Sequence, residues 1–307
     1  MQLLYCGKKT QNFGDALNAW FWSRCMPGVL DGDPGEVVFG IGTILCSGMP
    51  VPAATRCIHV LGSGCGYGDR APDPRYRVWF VRGPRTAARL GVEDSKAISD
   101  PAMLLPRLMS AAGPAKARAP VFIPHIDSAL VCDWATPCAL AGVRLVDPRT
   151  PAEAFIDAVR AAPLVLAESL HGAVVADAFG VPWVPLASSD DILAFKWEDW
   201  LDTLALEYRP CRVQRRIPWG WTRLRGGLRR LADDLGLSRR AARTRVSSLL
   251  ERQPRAENCA DSLLNASRQT PFLSQEEVRS RIAERLAEAI TAFARFAGKP
   301  AVKDRSV

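Results

Sequence analysis

Leu164-Val165-Leu166-Ala167-Glu168-Ser169-Leu170-His171-Gly172-Ala173 is a short apolar run that turns, within two polar residues, into a helical pattern. The run is too short for a buried helix and ends at residues suited to a strand-end loop, so it predicts a buried strand. The helix it opens extends from about Leu170 to Phe179. A second short strand, Trp183-Val184-Pro185-Leu186, follows after Gly180. Strand, helix and strand in that order make a βαβ unit, and such units imply parallel sheets covered by helices.

The same alternation extends in both directions. Upstream, Leu3-Leu4-Tyr5-Cys6, Glu36-Val37-Val38-Phe39, Ile58-His59-Val60-Leu61 and Arg77-Val78-Trp79-Phe80-Val81 read as strands, with a first helix from about Ala16. Pro120-Val121-Phe122-Ile123-Pro124 and Val143-Arg144-Leu145-Val146 are further strands, reached after a Pro/Ala/Gly-rich stretch from Pro106 to Pro120 that reads as a linker. The expected fold is α/β, with two doubly wound Rossmann-like halves and a cleft between them. The expected boundaries are 1–115 for the first half, carrying the Arg82 loop, and 116–208 for the second. A basic segment, 209–260, and a helical segment, 261–307, follow. In the last, Val278, Ile282, Leu286, Ile290 and Phe293 recur at helical spacing, the stripe of an amphipathic helix packed on its neighbours.

Composition narrows the function classes. The 307 residues are 48% apolar and 23% charged, a globular balance, and no stretch has the length of a membrane span. Nine cysteines without a Cys-x-x-Cys pair argue against both a disulfide scaffold and a thiolate zinc site, and fit a reducing cytoplasm. The net charge of +8 is local: Arg209 to Arg245 holds twelve arginines against Asp233 and Asp234, or +10, leaving −2 elsewhere. Nucleic-acid binding by the whole protein therefore does not follow from the basic charge, and no nucleic-acid motif is recognisable.

Four loops at strand ends carry the candidate chemistry. In Asn12-Phe13-Gly14-Asp15, glycine permits close backbone approach, and Asp15 either caps the helix or faces a ligand. Gly62-Ser63-Gly64 is a glycine turn that suits an anion or any tight turn. Arg82-Gly83-Pro84 places an arginine at a helix start, where it is expected to point into the cleft; Arg85 and Arg89 read as solvated. Ser169-Leu170-His171 places a histidine in the same kind of position. Of the other histidines, His59 reads as a satisfied core residue, and His125 is open between the two roles. Their spacing makes no metal site. Lys196, among Phe195, Trp197 and Trp200, is the single lysine between Lys116 and Lys299.

Together these loops resemble the polysaccharide pyruvyl transferase family, and within it the exopolysaccharide ketal pyruvate transferases of the xanthan and succinoglycan type. The matching pieces are Asn12-Phe13-Gly14-Asp15, Gly62-Ser63-Gly64, Val81-Arg82-Gly83-Pro84, Asp100-Pro101-Ala102-Met103-Leu104-Leu105, Ser169-Leu170-His171-Gly172 and Phe195-Lys196-Trp197-Glu198-Asp199. The resemblance covers about residues 1–208. It implies a fold like the GT-B glycosyltransferases, phosphoenolpyruvate as donor substrate with no separate cofactor, and a sugar acceptor on a polyprenol-linked oligosaccharide. No metal is expected, because no ligand cluster is visible and arginine and lysine can neutralise the donor. Arg82, His171 and Lys196 match the family's arginine, histidine and lysine of donor binding or catalysis. The substrate-binding set expected beside Arg82 is Asn12, Gly14, Gly62, Ser63, Gly64, Gly83, Ser169, Leu170 and Phe195. Many members carry arginine where this chain has Ser169.

The chemistry implied is protonation of the donor at C3 and attack of a sugar hydroxyl at C2. Loss of phosphate and closure of a cyclic ketal by a second hydroxyl follow. His171 is the expected acid or base, Asp15 a base for the acceptor, and Lys196 the charge beside the departing phosphate. A glycosyltransferase using a nucleotide-sugar is the enzymatic rival, and an arginine-rich nucleic-acid-binding protein the non-enzymatic one. Trp221, Leu224, Leu228, Leu231 and Leu235 align on one helical stripe opposite arginines, which predicts docking of 209–245 at the inner membrane surface. The expected location is cytoplasmic and peripheral.

Overall fold

The computed structural model describes residues 1–6, 12–68, 70–217 and 253–298. The Trp221–Leu235 stripe lies outside the described residues. The first half forms a four-stranded sheet of β1 (Gln2–Leu4), β2 (Glu36–Phe39), β3 (Cys57–Leu61) and β4 (Tyr76–Phe80), in the order β1-β2-β3-β4 and all parallel. The second half forms β5 (Val121–Ile123), β6 (Arg144–Leu145), β7 (Val165–Ala167), β8 (Trp183–Ala187) and β9 (Cys211–Arg212), in the order β6-β5-β7-β8-β9, also parallel.

Only the second sheet is doubly wound. Its order reverses between β5 and β7, so the loops leaving those two strands diverge and open a crevice. The first sheet advances in one direction, which corrects the expectation of two doubly wound halves. Two of its crossovers also lack described helices. Residues 40–56 and 62–75 carry seven glycines and four prolines between them, and remain loops. Helix α1 (Phe13–Cys25) supplies the crossover from β1 to β2 and begins three residues before Ala16, after Asn12 at its N-cap.

The first sheet is apolar on both faces. Val37, Phe39, Ile58 and Val60 meet Ile44, Leu45 and Cys46 of the loop after β2, with Ala87 of α2 (Pro84–Leu90). The opposite face joins a core that runs without a break into the second half, where Phe13 of α1 stacks on Phe155 of α6 (Ala152–Ala161) at 3.8 Å. Such a ring pair contributes about 1 kcal/mol beyond its buried area. Asn18 of α1 pins the loop after β2, accepting from Ile41 N at 2.8 Å and donating to Ile41 O at 2.9 Å.

The Pro106–Pro120 stretch begins inside α3 (Leu105–Leu108) and has no helix or strand from there to β5. In the second half, α4 (Ile126–Val131) and α5 (Ala135–Ala141) follow β5, α7 (Leu170–Ala178) follows β7, and α8 (Ala194–Leu201) follows β8. Helix α9 (Ala256–Ser267) packs on α5, so a boundary at 260 cuts through a helix, and the second sheet extends past 208 through β9. The amphipathic helix α10 (Glu276–Phe296) buries Ile282, Leu286, Ile290 and Phe293 as its stripe requires. It returns to the first sheet, where Phe293 meets His59 and Trp79. Its entry is held by Asp177 of α7, which accepts from Ser274 N and Oγ and from Trp183 Nε1. No helix of the described residues is long and apolar enough to cross a membrane.

Candidate active site

A cavity of about 480 Å³ opens between the carboxyl ends of the two sheets, a volume suited to a small ligand. The first half contributes Asn12, Asp15, the loop of Gly42 to Pro50, and Tyr67. The second contributes the loop and helix from His125, then Ser169, Leu170 and His171, and Lys196 with Arg215. The second set gathers around the crevice between β5 and β7, where the strand order reverses.

Glu168, the residue after β7, holds that crevice together. It is buried, and its carboxylate accepts from His125 N at 2.9 Å, from Ser188 N at 3.2 Å and from Ser188 Oγ. One side chain thus ties the ends of β5, β7 and β8. His125 becomes the cap of α4, its Nδ1 accepting from Asp127 N at 3.3 Å while the residue lines the cavity. His59 lies in the core as expected, between Glu36 and the indole N–H of Trp79.

His171 occupies the first turn of α7 with its side chain 16% exposed. Its Nε2 lies 3.5 Å from Oδ2 of Asp100, and both atoms are buried without another partner. Asp100 caps the 3-10 turn Pro101–Leu104 with its other oxygen, accepting from Ala102 N at 3.0 Å. The ring's Nδ1 sits over Gly14, so close that a Cβ there would lie 2.3 Å from it. Gly14 is therefore glycine because the catalytic candidate occupies the space of a side chain. Asp15 lies in the first turn of α1, on the cavity wall, rather than at the cap.

Arg82 does not point into the cavity, which corrects the sequence expectation. It is 1% exposed, and its Nε meets Asp199 Oδ2 at 3.1 Å. Its other nitrogens donate to Thr43 Oγ1 at 2.7 Å and to Cys65 O at 3.0 Å. Asp199 further accepts from Thr86 N and Oγ1, at 2.8 and 2.7 Å. A buried guanidinium needs these partners, and they draw it away from the ligand. The Gly62-Ser63-Gly64 turn serves the same anchor. Arg82 N donates to Ser63 O, Gly64 lies against the guanidinium, and the Ser63 hydroxyl donates to Gly40 O. Gly83 leaves room for the Asp199 carbonyl. None of Gly62, Ser63, Gly64, Gly83 or Phe195 lines the cavity, whereas Thr43, which Arg82 holds, does.

The anchor has a further effect, because α8 carries both Asp199 and Lys196. Lys196 is 6% exposed, and its Nζ lies 3.4 Å from Tyr67 Oη and 5.8 Å from that ring's centroid. No described carboxylate pairs with it, so a cation is left on the cavity wall. Arg85, at the surface of α2, pairs with Asp202 at 2.8 Å and with Glu198 at 2.5 Å. Two site features escaped the sequence reading. Asp100 stands in the Asp100–Leu105 motif, and an aspartate before proline is an N-cap signal that marks it. Arg215 was counted with the basic segment, and nothing local distinguishes it from its neighbours.

The arrangement is that of an α/β fold in which a histidine backed by a buried carboxylate and a lysine line the same cavity. Residues 75–190 match the family profile described as Polysaccharide pyruvyl transferase. The Succinoglycan biosynthesis protein ExoV of Rhizobium meliloti (strain 1021) is 39% identical over 216 residues, which cover 69% of this chain and 68% of that protein. The chain belongs to the polysaccharide pyruvyl transferase family, and it is an enzyme of that type.

Proposed function

We propose that the enzyme moves the pyruvyl unit of phosphoenolpyruvate onto two hydroxyls of one sugar in an exopolysaccharide precursor, forming a cyclic ketal. The observation that carries this reading is His171, on the cavity wall with Nε2 on Asp100 and Nδ1 beside Gly14 of the first half. The carboxylate favours hydrogen on Nε2, and so leaves Nδ1 as the ring atom that exchanges protons with substrate. Family membership and the similarity to a succinoglycan biosynthesis protein support the choice of reaction and acceptor class.

In the proposed step, a proton is delivered to C3 of the donor and C2 becomes an oxocarbenium-like centre. The first sugar hydroxyl bonds to C2, and the C2–O bond to phosphate breaks. The second hydroxyl then closes the ketal. Of the two hydroxyl protons released, one replaces that spent on C3 and the other leaves with phosphate. His171 serves C3 or the attacking hydroxyl, and Asp15 receives the acceptor proton from the opposite wall. Lys196 steadies the departing phosphate. The Leu170 amide, in the first turn of α7, adds a donor. Arg82 acts through others here, holding Thr43 on the cavity wall and Asp199 of α8.

Two parallel sheets flanking one cavity support a GT-B-like reading of the fold. A polyprenol-linked acceptor would bring the enzyme to a membrane surface, and the amphipathic stripe Trp221 to Leu235 is the sequence feature that supports such docking. The reading is tested by calorimetry of the full chain with phosphoenolpyruvate and with UDP- and GDP-sugars, together with phosphate release in the presence of lipid-linked oligosaccharide. Donor binding and acceptor-dependent phosphate release are expected. Binding of a nucleotide-sugar without phosphoenolpyruvate overturns it. Flotation with anionic liposomes at low salt tests the docking.

A further inference from the structure

The geometry points to Arg215 as an oxyanion-binding residue of the active site, one that grips the donor's phosphate or carboxylate. The inference rests on the donor reading above. Phosphoenolpyruvate carries about three negative charges when fully ionised, and the wall described so far meets them with one lysine. Arg82 is spent on Asp199 and lies behind Thr43. Another cation is required, and Arg215 lies on the same cavity.

Its place on the cavity wall sets it apart from arginines held by carboxylates elsewhere. Arg75, Arg85, Arg149, Arg209 and Arg212 each pair with a nearby carboxylate. Arg215 is half-buried and pairs with none among the described residues. Its charge acts on the Cys132 thiol just past α4, which places the guanidinium on the His125–Val131 side of the cavity. Lys196 reaches the cavity from α8. Two cations from separate elements suit a ligand with two separate anionic groups.

The backbone on both sides of Arg215 is clamped. Val213 N donates to Ala187 O at 3.2 Å, and Gln214 N to Ser262 Oγ at 3.1 Å. On the other side, Arg216 O accepts from Asp133 N at 3.0 Å, and Ile217 N donates to Gln253 Oε1 at 3.0 Å. Successive residues are thus held by β8, α9 and the loop before α5. The clamped backbone fixes where the side chain leaves the wall, and its planar fork suits an oxyanion in a bidentate contact.

The test is calorimetric affinity for phosphoenolpyruvate in the full chain, comparing wild type with Arg215→Ala, Arg215→Gln and Arg215→Lys. Melting temperature serves as the fold control, and acceptor KM is measured alongside. Removing the charge should weaken donor binding by about 10–100-fold, the range for a lost charged hydrogen bond. Lysine should restore only part of it, because the fork is lost. Donor affinity within twofold of wild type in a folded Ala or Gln variant overturns the assignment, as does a change confined to acceptor KM. A wild-type protein that binds no phosphoenolpyruvate overturns the donor reading itself, and is told apart because it needs no variant.

Discussion

Replacing Asp100 by asparagine separates the architectural duty of this residue from its chemical one. Asparagine keeps an oxygen for the Ala102 amide, so the 3-10 turn retains its cap. The other oxygen becomes an NH2 group, which donates towards Nε2 of His171 and drives the ring hydrogen to Nδ1. The magnitude follows from the 3.5 Å separation. With an effective dielectric of about 20, a carboxylate attracts an imidazolium at that range by ~5 kcal/mol. Desolvation of the buried pair offsets about half, which leaves about 2–3 kcal/mol available when the ring carries the proton. Loss of that contribution slows turnover by about 10²-fold, within the range of general acid–base catalysis. Donor affinity should stay within a few-fold, because Asp100 does not line the cavity. The assay is steady-state phosphate release with ¹⁵N spectra of the ring, which should show Nε2–H in wild type and Nδ1–H in the variant. Asp100→Ala should lose the cap as well, at about 1 kcal/mol of stability. Wild-type kcat in Asp100→Asn, or an unchanged ring tautomer, refutes the reasoning.

Gly14→Ala should keep the fold, since alanine favours helix by about 1 kcal/mol, yet it pushes the ring off Asp100. A fall in kcat of at least about tenfold is expected from the same assay, within the reach of a displaced acid–base group. Arg82→Ala leaves Asp199 charged and buried, so a stability loss of about 3–5 kcal/mol should appear in denaturant unfolding, with Arg82→Lys rescuing little. Burial pushes His59 below the usual histidine value, against the opposing pull of Glu36. Its neutral ring accepts the Trp79 N–H, which an imidazolium cannot do. The contribution of neutral His59 is therefore fully present above about pH 6.5, the unfolded value, and is lost as pH falls towards the folded one. Melting temperatures at pH 7.5 and 5.5 should differ more in wild type than in His59→Gln.

The strands and the His171 helix were legible because each is a short apolar run closed by a turn residue. Element ends agree within about two residues for most of them. Helices α5, α6 and α8 went unread, for different local reasons. Pro137 interrupts the first, the second is only ten residues long although Phe155, Ile156 and Val159 form a clear stripe, and three aromatics crowd around Lys196 in the third. Strand order was not legible at all, since the periodicity of a strand does not say which side its neighbour takes. The same limit explains Arg82. A strand-end arginine looks free until the partner 117 residues away is known. Asp100 and His171 stand 71 positions apart in the chain, and only the packing of α7 against the 3-10 turn brings them together.

His171 belongs to the second sheet by its helix, yet both of its nearest partners, Gly14 and Asp100, come from the first. The His171–Asp100 pair is therefore a joint between the two halves of the fold and has no existence within either. A relative slide of one ångström would part Nε2 from its carboxylate and move the ring off its glycine seat. Helix α10 opposes that slide, with its entry held by Asp177 of the second half and its stripe seated on the first sheet. The same helix packs on the 3-10 turn that Asp100 caps, so a segment that lines no part of the cavity sets where the carboxylate stands beneath the ring.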